Sequence, residues 1–282
     1  FVGLTGLASA LIFIGIAVNA AIPPVHSWLK DAYPAASYTG AVFLSAFTTK
    51  SAVYVMARTF PGTEMLIVLG ALMTFIPIFY AVLENDIRSV LSYSLINQVG
   101  FMMVGIGIGT PLAINGAVAH AFAHILYKGL LFMAAGAILT TTGRQKLTEL
   151  GGLYKKMPGT MVFMLIGGLA VSGLPLMSGF VSKSMIISAA FESHILWAGF
   201  ALTFVSAGTF LAAGLRLPYL IFIGKNNCAD ETGEKAQDPS WNMQLAMTIG
   251  GFLCIFIGCY LPFLYNMLPY TEISYHPYGA YH

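Results

Sequence analysis

The sequence predicts an all-α, polytopic membrane helix bundle of about eight transmembrane helices, and three observations predict it. Of 282 residues, 57% are apolar and 9% are charged, whereas a soluble domain carries about 25% charged residues. The apolar residues fall into windows long enough to span a bilayer, which takes roughly 20 residues each. The basic residues gather on one side when those windows alternate in direction. So few charges cannot make a water-facing surface, and the bilayer is the natural solvent. A net charge of +2 identifies no partner by itself, and no nucleic acid is expected.

The windows follow in order along a single membrane domain, 1–282. Residues 1–22 carry no charge and run into Pro23-Pro24. Residues 38–59 are apolar around Lys50 and close with Arg58. Residues 65–83 and 89–110 are apolar, the latter starting just after Asp86 and Arg88. Residues 113–141 contain Lys128, 157–191 contain Lys183, and 195–224 contain Arg216. Residues 241–268 are again without charge. Gly173-Leu174-Pro175 interrupts the sixth window as Pro23-Pro24 interrupts the first. Proline removes a helix donor and glycine loosens a turn. Interrupted helices persist in a membrane where they pack inside protein or line a hydrated cavity, and paired breaks mark inverted-repeat transporters around their ion sites.

Orientation follows from charge. Lys30, Arg88, Arg144, Lys146, Lys155, Lys156, Lys225 and Lys235 share one side, and Arg58 lies on the other. That asymmetry places the first group in the cytoplasm. Asp86 suits the helix start that it precedes. The stretch after Pro218, YLIFIGK, is expected to run along the interface, and the loop 225–240 to be a solvated connector. Cys228, Cys254 and Cys259 form no disulfide framework and no CxxC pair. The chain begins at Phe1 without an initiator Met, so it is expected to be a piece of a longer protein.

The ionisable residues carry the functional argument. Every Asp and Glu falls in a connector, at a helix end or in the tail, whereas Lys50, Lys128 and Lys183 fall in mid-window. A lysine at the bilayer centre costs about 2.5–3.5 kcal/mol, and no carboxylate in the windows offsets it. Two escapes exist: the amines face a water-filled interior, or they give up their protons. Either makes them proton-carrying sites, against the bland alternative of snorkelling to an interface. Lys50 is far from both ends of its window, which argues against snorkelling.

His120, His124 and Lys128 recur at i, i+4 and i+8, one stripe on one helix face. Imidazole titrates near neutrality and both donates and accepts, so the stripe suits proton passage. A metal is the competing reading, but the HxxxH here lacks the Glu of HExxH, and no metal or cofactor is expected. Thr48, Thr49, Ser92, Ser94, Asn97, Gln98 and Asn19 are candidates for holding channel water. His26 is expected at the cytoplasmic rim, and Arg216 near the cytoplasmic end of its helix.

Taken together, the segments PPVHSWLKDAYPAA, TTKSAVYVMAR, NDIRSVLSYSLINQVGFM, HAFAHILYKGLLFMAAGAI, LGGLYKKMP and GLPLMSGFVSK resemble one family. It is the antiporter-like family shared by respiratory complex I, Mrp-type cation/proton antiporters and membrane-bound hydrogenases, here with the Mrp D-like or hydrogenase-associated branch as the nearest pattern. The resemblance implies a core of about fourteen helices built from two inverted repeats, each with one broken helix. On that pattern residues 1–60 end the first repeat, 65–225 form the second, and 241–268 add a C-terminal helix. Lys50 then resembles the central relay lysine. Lys128, with His124 and His120, resembles the buried axis, and Lys183 the exit-side group. His26, Arg88 and Gln98 stand as supporting polar residues. Two positions depart from the family pattern: Asn19 and Arg88 stand where lysines are common. Asn cannot change charge, so the usual switch of the input half-channel is absent or altered.

The expected function is proton or cation translocation within a larger membrane complex. Lys50 receives a proton from the cytoplasmic side, Lys128 and the histidines pass it, and Lys183 releases it outward. The partners implied are the lipid bilayer, other membrane subunits, and H⁺ or Na⁺. The location implied is a prokaryotic inner membrane or an organelle membrane. Any electron chemistry, of NADH:quinone or hydrogenase type, belongs to partner subunits. The rival readings are a non-conducting structural subunit, which Asn19 favours, and a small-solute permease.

Overall fold

The computed structural model describes residues 6–228, 236–273 and 275–279; the expected position of Lys235 lies outside the described residues. The helices are α1 (Leu7–Asn19), α2 (Ser27–Ala35), α3 (Tyr38–Thr59), α4 (Glu64–Leu83), α5 (Ile87–Ile108) and α6 (Pro111–Thr142). They continue with α7 (Pro158–Ser172), α8 (Ser178–Glu192), α9 (Leu196–Ile223), α10 (Trp241–Cys259) and the short α11 (Leu261–Tyr265). The helices α3, α4, α5, α6, α9 and α10 are each long and apolar enough to cross a membrane, and α1 and α7 are shorter apolar helices. The pairs α1/α2 and α7/α8 are the two broken windows.

The sequence sets the helix ends locally. Asp86 caps α5 by accepting from the Ser89 amide at 2.8 Å, which relieves an amide that has no intrahelical partner. Thr110 precedes Pro111 at the start of α6, where a missing N–H costs nothing. Gly109 and Gly143, at φ +74° and +66°, end α5 and α6 in the left-handed region that glycine enters freely.

The core is graded rather than uniform. In α5, 89% of the spanning window is buried, against 33% in α10, so α5 is central and α10 peripheral. α4 lies directly on α5 because Gly70 and Gly100 face each other. A Cβ at Gly100 would meet the Gly70 carbonyl oxygen at 2.7 Å, and small residues permit that approach in lipid. On the outside, Phe43, Phe75, Phe200 and Phe252 are exposed, as suits a hydrocarbon solvent.

The alternation of direction shows in loop contacts. At one face, Ile87 N–H donates to Gln145 O and Leu147 N–H to Asn85 O, both near 2.9 Å. Arg144 reaches Asn227 O at 3.2 Å there. At the opposite face, Gly62 N–H donates to Ile106 O. Arg58, Asn115 and Tyr270 gather at that end. The former is called the basic face below and the latter the Arg58 face.

Two local expectations need correction. YLIFIGK does not peel off along the interface: α9 continues through π-helical turns at Phe210–Arg216 and Tyr219–Ile223, with Ile221 and Phe222 buried. Arg216 fixes this end by donating to Ala81 O at 3.2 Å and Glu84 O at 2.9 Å, the free carbonyls at the C-terminus of α4. The loop 225–240 is more than a solvated connector. Asp238 accepts from the amides of Gly159 and Thr160, each at 2.9 Å, and from the Thr160 hydroxyl at 2.8 Å. A residue distant in sequence thus caps α7.

Candidate functional site: a buried file of amines and imidazoles

The break between α7 and α8 builds one end of the site. Val171 O would accept from the amide four residues on, but that residue is Pro175, which has no N–H. The amine of Lys183 takes the place: Nζ donates to Val171 O at 2.7 Å and to Ser206 Oγ at 3.2 Å. It also lies 4.9 Å from the ring centroid of Phe101, close enough for a cation–π contact. Gly173, at φ +79°, closes α7 with Leu174 N–H donating to Leu169 O, the pairing of a Schellman motif. A cavity of about 360 Å³, bordered by Lys183, Ser206, Thr203 and Pro175, lies against this break.

α6 supplies the middle. His120, His124 and Lys128 are fully buried. His120 Nδ1 pairs with Ser182 Oγ at 2.8 Å, and its Nε2 with Gln98 Oε1 at 3.2 Å. The Tyr127 hydroxyl lies 3.3 Å from that same Nε2. Gln98 Nε2 donates to Asn97 Oδ1, and Asn97 Nδ2 donates to Thr74 O at 2.7 Å. Thr209 donates to Asn97 Oδ1 at 3.2 Å. The imidazole of His124 stacks edge-on against Tyr127, with ring centroids 5.1 Å apart. Neither of its ring nitrogens has a hydrogen-bond partner among the described residues, and Ser94 Oγ and Ser178 Oγ share that condition. Lys128 Nζ donates to Leu91 O at 3.0 Å.

α3 supplies the other end. Lys50 is 7% exposed, and its Nζ donates to Ser45 O at 2.6 Å and Thr49 Oγ1 at 3.1 Å. At 1.5 Å per residue it stands about 18 Å from the start of α3 and about 13 Å from its end, beyond the reach of one lysine stem. Lys50 lies within electrostatic range of Lys128. Lys183 lies within range of Lys128 and both histidines. On α6 the helical rise places His124 between Lys128 and His120, so the five groups form one file, Lys50, Lys128, His124, His120, Lys183, crossing from α3 through α6 to α8.

Of the other sequence-derived candidates, Gln98 belongs to the file. Asn19 does not: it is exposed at the end of α1. His26 lies with Lys30 and Asp31 around a separate cavity of about 280 Å³ toward the basic face. Arg88 is buried but donates to Tyr33 O at 2.9 Å and to Ala36 O and Ser37 O, clamping the C-terminus of α2. Its role there is to hold the segment after the first break. Tyr127, Ser182, Ser206, Thr209 and Phe101 join the site without having been singled out. Tyr127 could have been found, since it stands seven residues after His120 on one helical stripe. The others are brought in by tertiary packing. Among the described residues, no group of three or more His, Cys, Asp or Glu is placed to hold a metal ion.

Fold and site together define a multi-pass helical membrane protein with buried amines and imidazoles and, among the described residues, no buried carboxylate. Residues 3–211 match the family of NADH:quinone oxidoreductase/Mrp antiporter transmembrane proteins, and the chain belongs to that family. The NADH-ubiquinone oxidoreductase chain 5 of Metridium senile is 29% identical over 90% of this chain and 43% of its own length. A probable K(+)/H(+) antiporter subunit of Rhizobium meliloti is 32% identical over 90% of this chain and 26% of its own. The chain thus spans less than half the length of these curated relatives. Among solved structures, a chain of the Mrp complex from Dietzia sp. superposes with a TM-score of 0.84 at 24% identity, over 91% of this chain and 57% of that one. A chain of the membrane-bound sulfane sulfur reductase, an archaeal respiratory membrane complex, gives 0.81 at 29% identity, over 88% and 44%.

Proposed function

We propose that this chain moves protons, or a second small monovalent cation, across the membrane as an antiporter-like part of a larger complex. The observation that carries the reading is the file itself. Three amines and two imidazoles are buried in line, and among the described residues no carboxylate lies beside them to neutralise them. Three amines buried at about 2.5–3.5 kcal/mol each are a standing cost to stability, and transport accounts for keeping them.

In this mechanism Lys50 takes up a proton, and mutual repulsion makes a charge on Lys50 and a charge on Lys128 unfavourable together. The proton passes to Lys128 and then to His124, whose ring nitrogens are uncommitted among the described residues. His120, Gln98, Tyr127 and Ser182 continue the chain of exchangeable groups to Lys183. Release occurs into the cavity beside the α7/α8 break. Membership in a complex is supported by the names of the similar chains, which belong to respiratory and antiporter assemblies.

A non-conducting, structural role is the competing reading, and Asn19, which cannot change charge, favours it. The test is reconstitution of the parent complex in proteoliposomes with Lys50→Met, Lys128→Met or Lys183→Met. Each variant should lower cation flux at least about tenfold, equivalent to about 1.4 kcal/mol on the barrier. Flux at the wild-type rate in all of them would reject conduction through this file.

A further inference from the structure

We infer that the neutral His120 ring is held in one tautomer, hydrogen on Nε2 and lone pair on Nδ1, by a chain of orientations that starts at the Thr74 carbonyl and runs through Asn97 and Gln98. The inference rests on the conducting reading above only for its purpose; the hydrogen-bond senses that carry it do not depend on transport.

A backbone carbonyl can only accept. Thr74 O lies 2.7 Å from the Asn97 side-chain amide and so fixes which end of that amide is the NH2. Asn97 comes within reach because α4 and α5 meet closely at Gly70 and Gly100. Its other end, Oδ1, is an acceptor facing Gln98, and Gln98 must turn its own NH2 toward it. The Thr209 hydroxyl, 3.2 Å from the same Oδ1, agrees, because a hydroxyl can donate. The carbonyl end of Gln98 is then left for His120, with Gln98 Oε1 3.2 Å from His120 Nε2. An acceptor at that distance calls for a hydrogen on the ring nitrogen. A neutral imidazole has one N–H, so Nδ1 is bare, and the Ser182 hydroxyl donates to it at 2.8 Å.

Tyr127 fits the same assignment. Its hydroxyl stands 3.3 Å from His120 Nε2 and 3.4 Å from Gln98 Oε1. With Nε2 protonated, the hydroxyl accepts from the ring and donates to Gln98. With Nε2 bare, one tyrosine hydrogen would face two acceptors. The bare nitrogen therefore points to α8, where Ser182 stands one residue before Lys183. A proton gained by His120 sits on Nδ1, and the new N–H donates to Ser182 Oγ. The Ser182 hydrogen has a second place to go, since Oγ lies 3.3 Å from both Ser178 O and Gly179 O. Charging His120 thus turns one hydroxyl at the start of α8 and leaves the ring and its bond to Gln98 in place. Asn97 and Gln98 are positioning residues: they set which nitrogen exchanges, and they hold none of the exchanged hydrogen.

Solid-state nitrogen NMR of the parent complex in membranes, with isotope-labelled histidine, reads the tautomer without measuring transport. With the ring assigned through its link to Ala121, and at a pH where it is neutral, Nε2 should carry hydrogen and Nδ1 none. Asn97→Leu frees Gln98 to turn and should change the ratio of the two tautomers at least about tenfold. Gln98→Met should favour hydrogen on Nδ1, with Tyr127 donating to Nε2, whereas Gln98→Glu keeps the acceptor and should keep hydrogen on Nε2. Ser182→Ala should also keep it there, because the lock lies on the other side of the ring. Hydrogen on Nδ1 in the native neutral ring would overturn the inference, and that measurement needs no variant to fold. An unchanged ratio in folded Asn97→Leu or Gln98→Met, or a reversal by Ser182→Ala, would overturn it too. Flux loss in the lysine variants bears on the file alone, so the two readings fail separately.

Discussion

Replacing Lys183 with Met separates what the residue does for stability from what it does for transport. Met keeps the length of the stem and removes the amine. Three contributions change. The carbonyl of Val171, left without a helical donor by Pro175, loses its 2.7 Å partner, at about 1–3 kcal/mol for an unsatisfied buried acceptor. The contact with Phe101 goes as well, worth about 0.5–2 kcal/mol. Against these stands relief from burying an amine, about 2.5–3.5 kcal/mol. Losses and gain come within about 2 kcal/mol of cancelling, so Lys183→Met should unfold within a few degrees of wild type in a thermal scan of the solubilised complex. Proton flux in proteoliposomes should nevertheless fall to the background leak. Lys183→Arg keeps a donor and a charge but cannot release a proton, and it too should fail to transport. A variant destabilised well beyond 2 kcal/mol, with flux lost in proportion to folded protein, would make Lys183 a structural clamp and refute the reasoning. Transport by Lys183→Arg would refute the proton-release role specifically.

Two further outcomes follow from particular contacts. Gln98→Ala removes the acceptor shared by His120 and Tyr127 and the donor to Asn97; it should lower stability by about 1–3 kcal/mol and slow flux, whereas Gln98→Glu, which keeps the acceptor, should retain more flux in the same proteoliposome assay. Asp238→Ala removes three bonds from the start of α7; thermal unfolding should show a loss of about 0.5–2 kcal/mol with flux per folded complex unchanged, since Asp238 is outside the file.

What could be read from the sequence was what repeats locally. The apolar windows, the two proline breaks and the i, i+4, i+8 stripe of His120, His124 and Lys128 follow from helical period and composition, and the structure keeps them. The three mid-window lysines were legible because a charge in an apolar run has no ordinary structural explanation. Illegible parts depend on distant contacts. Asp238 reads as a loop carboxylate, and nothing near it in sequence shows that it caps α7. The tail after Leu268 has no periodic pattern, and its contacts with Asn115 and Ser188 are illegible because each of these reads as one more polar side chain in a helix. Arg88 and Asn19 show the limit of analogy by position. Arg88 stands where a relay group is common, yet its guanidinium is consumed by three backbone carbonyls of the α2 terminus. Asn19 stands at another such place and is exposed.

The two breaks are closed by different chemistry: at the second, proline leaves the Val171 carbonyl without its helical donor, whereas at the first Val18 O already accepts the Ala21 N–H at 3.1 Å. At the first, the chain end of α1 is closed by Trp28, whose indole N–H donates to Val18 O at 2.8 Å. An indole is a donor only and holds its proton, so this closure is fixed. At the second, the donor to Val171 O is the amine of Lys183. A lysine amine keeps N–H groups after it loses a proton, so it satisfies the Val171 carbonyl in either charge state. The break is thus sealed without fixing the charge of the group that seals it. A proton can leave Lys183 with the helix termini around it unchanged, and the cost of the event stays with the charge alone. An interrupted helix closed by Trp could position a channel but not switch with it. One closed by Lys has the chemistry for both.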